Sequence, residues 1–405
     1  MEKLFEKSVM DLSRLVRFSD ASMELLERVD KASEELLLPE VEHYIARKFN
    51  EQTPLLLQKH NLLGMPVAEE YGGLGADALT YTLAMERLGQ LGMGVITFMD
   101  VHISLGQLTL QQWGTTDQKS RYLEPATSGK KILAYALTEP EAGSDPASLK
   151  TTYELKDGHY VLNGEKYLIS NGSIANALIV FARSKSSGIS AFIVDSDSEG
   201  FSVSMRLEEK LGLFTSDTAM LEFRDCKVPK ENMLGREGKG MAVAYSALVN
   251  GRYAIAAGCV GVLEDCLNAV TERARQRVQH GKEIGKHQLI QRHIAEIAIN
   301  LEMARWPTYI AALKKMEHDR KPDDIELRGE VDSYSALAKR IASKLAFEGA
   351  DRAVQIFGGF GYSILSSVGR HFLDSRVCRI YEGTDEVLDL KIASSILGKE
   401  FEAYR

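Results

Sequence analysis

The sequence contains little cysteine, and the spacing of its cysteines excludes two kinds of structural site. Four cysteines occur among 405 residues: Cys226, Cys259, Cys266 and Cys378. No two of them have the Cys-x-x-Cys spacing of a zinc knuckle, and the pattern is not that of a disulfide framework. We therefore expect a reducing compartment and predict no metal site.

Long runs of a single residue class are also missing. No five consecutive residues are Lys or Arg, and the formal net charge is -8, so nucleic-acid binding is not expected. Nowhere do about 18 uncharged apolar residues follow one another, so no membrane-spanning segment is predicted. The start, Met1–Lys7, has neither the apolar core of a signal peptide nor an Arg/Ser-rich presequence. We expect a cytoplasmic protein.

The apolar residues that are present divide the chain into three parts. Hydrophobic residues make up 44% of the sequence, and the chain is longer than one typical core, so two or three packed units are expected. Helical periodicity in the first and last parts flanks strand-length apolar runs in the middle. We predict an α+β protein with an N-terminal helical domain (1–133), a middle β domain (134–238) and a C-terminal helical bundle domain (239–405).

Local patterns predict several turns and helices within these parts. Asp157-Gly158 and Asn163-Gly164 each separate short apolar runs, and such pairs favour two-residue hairpin turns. Long helical periodicity is predicted for three stretches of the C-terminal part: Ala242–Arg277, Leu289–Met316 and Val331–Phe357.

The segment Ile380-Tyr381-Glu382-Gly383-Thr384 contains the leading candidate for chemistry. Desolvation beside aromatic and apolar groups raises the pKa of a carboxylic acid, which suits a base that removes a proton from carbon. Gly383 permits another molecule to approach the backbone, and Thr384 is predicted to cap a helix. Taken alone, Glu382 is more simply interpreted as a solvated carboxylate without a chemical role.

A second candidate is the polar loop that follows Tyr135-Ala136-Leu137-Thr138-Glu139-Pro140. A strand is predicted to end at a proline turn and to lead into Ala142-Gly143-Ser144-Asp145, where backbone N–H groups and hydroxyls come together. Such a loop suits a phosphate or the edge of a flavin ring. Taken on its own, the loop is more simply interpreted as an ordinary Gly/Ser/Asp turn.

Three strings together resemble the acyl-CoA dehydrogenase family over essentially the whole chain. They are Leu137-Thr138-Glu139-x-x-Ala142-Gly143-Ser144-Asp145, Gln355-x-x-Gly358-Gly359-x-Gly361-Tyr362 and Ile380-Tyr381-Glu382-Gly383-Thr384. The resemblance implies a helical N-terminal domain, a β-barrel or sandwich and a C-terminal four-helix bundle. It implies FAD as cofactor, an acyl-CoA substrate and an electron-transfer flavoprotein as electron acceptor.

The same resemblance assigns roles to residues of the catalytic segment and the polar loop. Glu382 takes the position of the base that removes the α-proton, while the β-hydrogen leaves as hydride to the flavin. The thioester carbonyl is met by the Glu382 N–H and a flavin ribityl hydroxyl. Leu168 replaces a tryptophan that often packs on the flavin, and Ser170 replaces a threonine. The flavin-lining positions are Tyr135, Leu137, Thr138, Ser144, Leu168, Ser170, Thr384 and Glu386.

A further group matches family positions that hold the FAD of a neighbouring subunit. Arg277-Val278-Gln279-His280-Gly281 resembles the string that grips the diphosphate, with His280 in place of phenylalanine. A solvated helix face is the alternative interpretation of Arg277. The sharing of a site implies at least a dimer, and a dimer of dimers is usual in the family. The remaining positions in this group are Gln288, Gln355, Gly358 and Gly359.

Substrate-binding positions are predicted on three segments. By resemblance, Arg252 lies near the CoA moiety and Glu382, while Val249 replaces a frequent aspartate. Some relatives have their catalytic acid one position before this arginine, and that position is Gly251 here. Ser144 and Gly383 are the other predicted substrate contacts.

The acyl specificity is less well defined by the sequence. The segment Gly94–His102 matches one wall of the acyl pocket, where bulky Phe98 and Met99 favour a short, branched or cyclic acyl group. Both residues fit a helical core equally well. The lack of an arginine in this segment disfavours a glutaryl-type substrate.

Two alternative functions stay open at this point. One is a related flavin oxidase or monooxygenase with the same fold, although the retention of Glu382 argues against the monooxygenase. The other is a flavin-binding protein without catalytic activity.

Overall fold

The structure is a computed structural model that describes residues 18–401 and residue 403. The prediction made from Met1–Lys7 lies outside these residues. Helices extend from Asp20 to Thr127, strands from Leu133 to Leu234, and helices begin again at Gly240. The predicted α+β class, with helical N- and C-terminal parts and a central sheet, is confirmed. We keep 1–133, 134–238 and 239–405 as the proposed domain boundaries.

The first N-terminal helix begins at a side-chain cap, and two later segments, Asp100–Gln107 and Lys119–Leu123, are π-helical. The Ser19 hydroxyl accepts a hydrogen bond from the Ser22 N–H at 3.1 Å, which satisfies an otherwise unpaired donor of α1. Between α4 and α5 the helix continues through π-helical turns at Asp100–Gln107. The helices are α1 (Asp20–Ala46), α2 (Gln52–Lys59), α3 (Ala78–Gly89), α4 (Met93–Met99), α5 (Leu108–Trp113), α6 (Thr116–Gln118) and α7 (Glu124–Thr127).

The central sheet is built around strand β4. One edge of β4 pairs with β5 along its length, and the other edge is shared by β1, which pairs in parallel, and β2. The order β6-β7-β3-β2-β4-β5-β8 completes the sheet. The strands are β1 (Leu133–Ala136), β2 (Thr152–Lys156), β3 (His159–Ser170), β4 (Ala177–Ser184), β5 (Gly188–Asp195), β6 (Phe201–Arg206), β7 (Thr218–Pro229) and β8 (Met233–Leu234).

One of the two predicted hairpin turns is correct and the other is wrong. Asp157 and Gly158 both have positive φ between the paired residues Lys156 and His159, so the β2–β3 turn is confirmed. At Asn163-Gly164, β3 continues and its register with β7 shifts, which is a β-bulge. A side chain at Gly164 would lie 2.7 Å from the Thr151 Cα, so the glycine serves a close backbone approach.

The C-terminal part consists of three long helices that pack against one another, with shorter helices beside them. All three predicted helical stretches fall within these long helices, allowing for differences at their ends. The helices are α8 (Gly240–Gln276), α9 (Gln288–Arg320), α10 (Ile325–Phe357), α11 (Ser367–Ser375) and α12 (Asp385–Leu397). A two-stranded hairpin, β9 (Val278–Gln279) and β10 (Lys282–Glu283), connects α8 to α9.

A buried ion-pair network joins the N-terminal helices to this bundle. Arg305 of α9 has no exposed side-chain surface, and its Nη2 lies 2.8 Å from Glu86 Oε1 and 2.6 Å from Glu264 Oε2. The Tyr309 hydroxyl donates a 2.8 Å hydrogen bond to the second oxygen of Glu86. Because Glu86 is on α3 and Glu264 is on α8, one guanidinium connects three helices.

Two segments are apolar and long enough to span a membrane, judged by length and composition alone. They are Met93–Trp113 and Gly240–Gln276. Inside the protein, the relevant 18-residue window is 94% buried in the first and 78% buried in the second. Their apolar surfaces are therefore mostly covered by the protein itself.

Candidate active site

Glu382 lies in a tight turn immediately before α12. Its φ is 56° and that of Gly383 is 100°, so two successive residues have left-handed backbone conformations. The Thr384 hydroxyl then accepts a hydrogen bond from the Val387 N–H at 3.3 Å. This contact confirms the predicted helix cap, and together these features reverse the chain just before the helix.

The carboxylate of Glu382 is desolvated and incompletely paired. A Cβ built on Gly251 of α8 would lie 2.7 Å from Glu382 Oε2, so the acid occupies the space that the missing side chain leaves. The residue keeps some exposed surface, but Oε2 is buried and has no hydrogen-bond partner among the described residues. Burial raises the pKa of Glu382 to about 7, although the positive charges of Arg252 and Lys339 oppose the shift.

Two cations hold the backbone of this turn. Arg252 Nε donates a 3.2 Å hydrogen bond to the Glu382 carbonyl, and its Nη1 lies 3.0 Å from Asp332 Oδ1. Lys339 Nζ donates a 2.6 Å hydrogen bond to the Gly383 carbonyl. Arg252 therefore lies beside the candidate base. The Arg252 side chain is buried against these partners and exposes little surface to a ligand. Its contact with CoA therefore stays a prediction.

Asp100 is a second acidic residue near the site that sequence reasoning did not select. It lies in the π-helical turns, it is 2% exposed, and its Oδ1 atom has no hydrogen-bond partner among the described residues. Burial, and then the charge of Glu382, raise the pKa of Asp100 well above its usual value. This shift favours the neutral form of Asp100 beside Glu382. Phe98 and Met99, just before it, are both buried in the hydrophobic core.

The predicted flavin-lining residues of the middle domain come from two segments that the fold brings together. The Tyr167 N–H donates a 2.9 Å hydrogen bond to the Thr138 carbonyl, which joins the loop after β1 to the second bulge of β3. At this bulge Leu168 has a φ of 58° and is 46% exposed. An exposed leucine beside half-buried Ser170 leaves an accessible apolar surface, which suits a flavin ring.

A buried ion pair fixes the loop after β1. Lys166 Nζ donates hydrogen bonds to Glu139 Oε1 at 2.7 Å and to the Leu137 carbonyl at 3.2 Å. The Glu139 carboxylate also accepts from the Thr151 N–H at 3.0 Å. Sequence reasoning missed Lys166, because the only local signal was a lysine within a strand pattern and its partner lies 27 residues earlier.

The other residues predicted to contact the flavin or the substrate differ in their solvent exposure. Ser144 is exposed, and no atom lies within 4 Å of a Cβ built on the neighbouring Gly143. Tyr135 is 8% exposed, and burial, followed by the charge of Glu382, raises its pKa, so β1 passes near the base. Val249 is half-buried on α8, and Glu386 is exposed at the start of α12.

The residues predicted to hold a neighbouring FAD form a separate exposed group. The β9–β10 hairpin turns at His280, whose φ is 51°. Arg273 Nη2 donates a 3.2 Å hydrogen bond to the Phe357 carbonyl, which brings the end of α8 close to the end of α10. Every predicted member of the group is exposed: Arg277, Gln279, His280, Gln288, Gln355, Gly358 and Gly359.

This second group fits an anionic ligand that comes from outside the chain. The Arg277 guanidinium forms no ion pair or hydrogen bond with any residue from 18 to 401, so its charge is available to a diphosphate. No atom lies within 4 Å of a Cβ built on Gly358 or Gly359, so their backbone is open to a ligand. Within the described part of the chain, no hydrogen bond joins this group to the flavin-lining loops.

Comparison with known proteins identifies the family. Three family models match consecutive segments: the acyl-CoA dehydrogenase N-terminal domain at 19–130, the middle domain at 134–226 and the C-terminal domain at 238–397. The chain is 41% identical over 334 residues to a short-chain-specific acyl-CoA dehydrogenase of Megasphaera elsdenii, which covers 80% of this chain and 84% of that protein.

Solved structures agree with this match. Butyryl-CoA dehydrogenase from Megasphaera elsdenii has a TM-score of 0.88 and 36% identity, and the match covers 95% of this chain and all of that one. A structure from Acidaminococcus fermentans, described as an electron transferring flavoprotein, has a TM-score of 0.89 and 35% identity, with coverage of 94% and 99%.

Helical N- and C-terminal parts around a central sheet are the fold of a class of FAD-dependent oxidoreductases. The chain belongs to the acyl-CoA dehydrogenase family and is an enzyme of that class.

Proposed function

We propose that this enzyme converts a short-chain acyl-CoA thioester to the trans-2-enoyl-CoA, with Glu382 as the base that removes the α-proton. The main support is the state of the Glu382 carboxylate. Its Oε2 atom is buried without a hydrogen-bond partner, and its pKa is raised to about 7. A carboxylic acid with this pKa is about half ionised at pH 7 and keeps an oxygen free to accept a proton.

The backbone of the same residue supports the proposed position of the thioester. The Glu382 N–H donates no hydrogen bond to another described residue, so it is available to the thioester carbonyl. A donor at the carbonyl stabilises the negative charge that develops when the α-proton leaves. Arg252 and Lys339 hold the two carbonyls that follow this N–H, which keeps the donor and the carboxylate in one fixed turn.

We assign the cofactor contacts to two groups of residues. The FAD, when bound, supplies the acceptor for the β-hydrogen, which leaves as hydride. Tyr135, Leu137, Thr138, Ser144, Leu168, Ser170, Thr384 and Glu386 would surround the flavin end. Arg277, Gln279, His280, Gln288, Gln355, Gly358 and Gly359 of a second copy would bind the diphosphate and adenosine end, which requires at least a dimer and agrees with a dimer of dimers.

The substrate contacts are assigned in the same way, to Ser144, Val249, Arg252 and Gly383. The preference for a short acyl group is supported by the two relatives from Megasphaera elsdenii, which are described as short-chain specific and as a butyryl-CoA dehydrogenase. The physiological electron acceptor in this proposal is an electron-transfer flavoprotein, and the proposed location is the cytoplasm.

Anaerobic titration of the FAD-loaded protein tests this function. Butyryl-, isovaleryl-, octanoyl- and glutaryl-CoA are added separately while the oxidised-flavin absorbance is followed. Butyryl-CoA or another short acyl-CoA is expected to bleach the flavin, and the product should be the 2-enoyl-CoA by mass spectrometry. Bound FAD that no acyl-CoA bleaches would contradict the proposal. Peroxide production at the rate of turnover in air would instead identify an oxidase.

A further inference from the structure

Lys339 is a buried lysine of α10 that contacts the turn formed by Glu382 and Gly383. It lies in the middle of α10, has no exposed surface and is surrounded along its helix face by small residues such as Ala336 and Ala342. Its ammonium group donates a 2.6 Å hydrogen bond to the carbonyl of Gly383, the residue after the base. Burial of an ammonium group is costly unless it is hydrogen-bonded, and here the Gly383 carbonyl supplies that partner.

The turn that Lys339 contacts has an unfavourable backbone conformation. Glu382 has a φ of 56°, and the left-handed region is unfavourable for a residue with a Cβ. Such a conformation persists when the surroundings fix it. Here Arg252 holds the Glu382 carbonyl from α8, and Lys339 holds the next carbonyl from α10. Hydrogen bonds from both α8 and α10 therefore fix the backbone of this turn.

The charges around the turn make Lys339 relevant to the chemistry as well. The groups that face Glu382 are Arg252 from α8, Lys339 from α10, Asp100 from the π-helical turns and Tyr135 from β1. Both cations lower the pKa of Glu382 and so oppose the effect of burial. Burial, and then the charge of Glu382, raise the pKa of Asp100, which favours its neutral form.

Burial is the main influence on Lys339 and lowers its pKa to about 8. The groups that oppose this shift are Cys378 in the turn before the catalytic segment, Cys259 on α8, Glu382 and Asp385. At neutral pH the side chain is therefore largely an ammonium ion. Its positive charge is present in the pH range in which Glu382 loses its proton.

We propose that Lys339 is a positioning residue for the dehydrogenation: it holds the Gly383 carbonyl so that the Glu382 carboxylate keeps its orientation, and its charge stabilises the ionised base. This inference rests on the proposed role of Glu382. A purely structural lysine would affect folding without changing the protonation of Glu382.

Two substitutions separate the hydrogen bond from the charge. Lys339→Gln retains a side-chain N–H donor without the charge, and Lys339→Met removes both. Lys344→Met is the matched control, because Lys344 lies on the same helix with 47% of its side chain exposed. The FAD-loaded variants are mixed anaerobically with butyryl-CoA across a pH series, and the rate of flavin reduction is recorded. Protonation of Glu382 is followed independently, by infrared difference spectra against Glu382→Gln in each background.

Both Lys339 variants should shift the titration of Glu382 to higher pH by ~1 unit. Lys339→Met should also reduce the maximal rate at least tenfold, with a smaller loss for Lys339→Gln, while Lys344→Met matches the wild type. A wild-type infrared titration in Lys339→Gln would overturn the inference, even if Lys339→Met does not fold. If Glu382→Gln itself reduces flavin normally, the proposed function fails; if only the Lys339 variants behave as wild type, this inference fails alone.

Discussion

The Glu382 carboxylate lies directly against the backbone of Gly251. A methyl group added to Gly251 would be 2.7 Å from Oε2 and 2.8 Å from the carboxyl carbon, closer than non-bonded atoms approach each other. The two residues are 131 positions apart and belong to α8 and to the turn before α12. The space beside the Gly251 backbone therefore holds one carboxylate, that of Glu382.

Gly251→Ala should move the carboxylate and impair the reaction without loss of the fold. The added methyl group would force Glu382 to shift by a few tenths of an ångström or more, and misplacement of a base by this amount lowers the rate steeply. We expect flavin reduction to slow at least tenfold with FAD still bound, measured by anaerobic stopped-flow absorbance. Gly329→Ala is the control, because nothing lies within 4 Å of its Cβ position. A Gly251→Ala enzyme with the wild-type rate would refute this packing argument.

The rate of flavin reduction should depend on pH through the ionisation of Glu382. The base acts when it has lost its proton, and its pKa is raised from 4.5 to about 7. At limiting substrate, the rate should therefore fall about tenfold for each unit below pH 7 and level off above it. Stopped-flow measurements between pH 5.5 and 8.5 check this. A profile that is flat down to pH 5.5 would show that the carboxylate is not desolvated in solution.

Arg277→Ala should weaken FAD retention. The guanidinium has no ion-pair partner in the described chain and is proposed to contact the diphosphate of an FAD held by a second copy. Loss of a charge-assisted hydrogen bond costs about 2 kcal/mol, which corresponds to roughly 30-fold in affinity. Flavin content after extensive dialysis is the measurement, and Arg292→Ala on exposed α9 surface is the control. Equal flavin content in both variants would show that Arg277 does not bind the FAD diphosphate.

Arg305→Met should destabilise the protein strongly. The substitution would leave Glu86 and Glu264 buried without their cation, and breaking a buried ion pair from one side costs about 3–5 kcal/mol. Denaturant unfolding at fixed FAD concentration measures the loss, with the exposed Arg292→Met as the control. An Arg305→Met protein as stable as this control would mean that the carboxylates are protonated or otherwise paired in the folded state.

The fold was largely predictable because it depends on local periodicity. The long helical patterns after Gly240 and the strand-length runs before it appear in the structure as α8 to α10 and as the sheet. Asn163-Gly164 was misinterpreted because the same dipeptide serves hairpin turns and bulges, and only the pairing of β3 with β7 distinguishes the two.

The candidate site was predictable only where a motif marks it. Glu382 lies in a distinctive string, whereas Lys166 and Lys339 act through partners 27 and 44 residues away in the chain. A lysine in a strand or on a helix face carries no local signal that it will be buried. Asp100 was missed for the same reason, since its importance comes from the proximity of Glu382 in the folded protein.

The most direct test of the account is flavin reduction in Glu382→Gln. This substitution keeps the shape of the side chain and removes the base, and Glu348→Gln, at a partly exposed position of α10, serves as the control. FAD-loaded protein is mixed anaerobically with butyryl-CoA and the oxidised-flavin absorbance is followed. We predict normal FAD content with at least a hundredfold slower bleaching in Glu382→Gln and no change in the control. Bleaching of Glu382→Gln at the wild-type rate would contradict the assignment of Glu382 as the base.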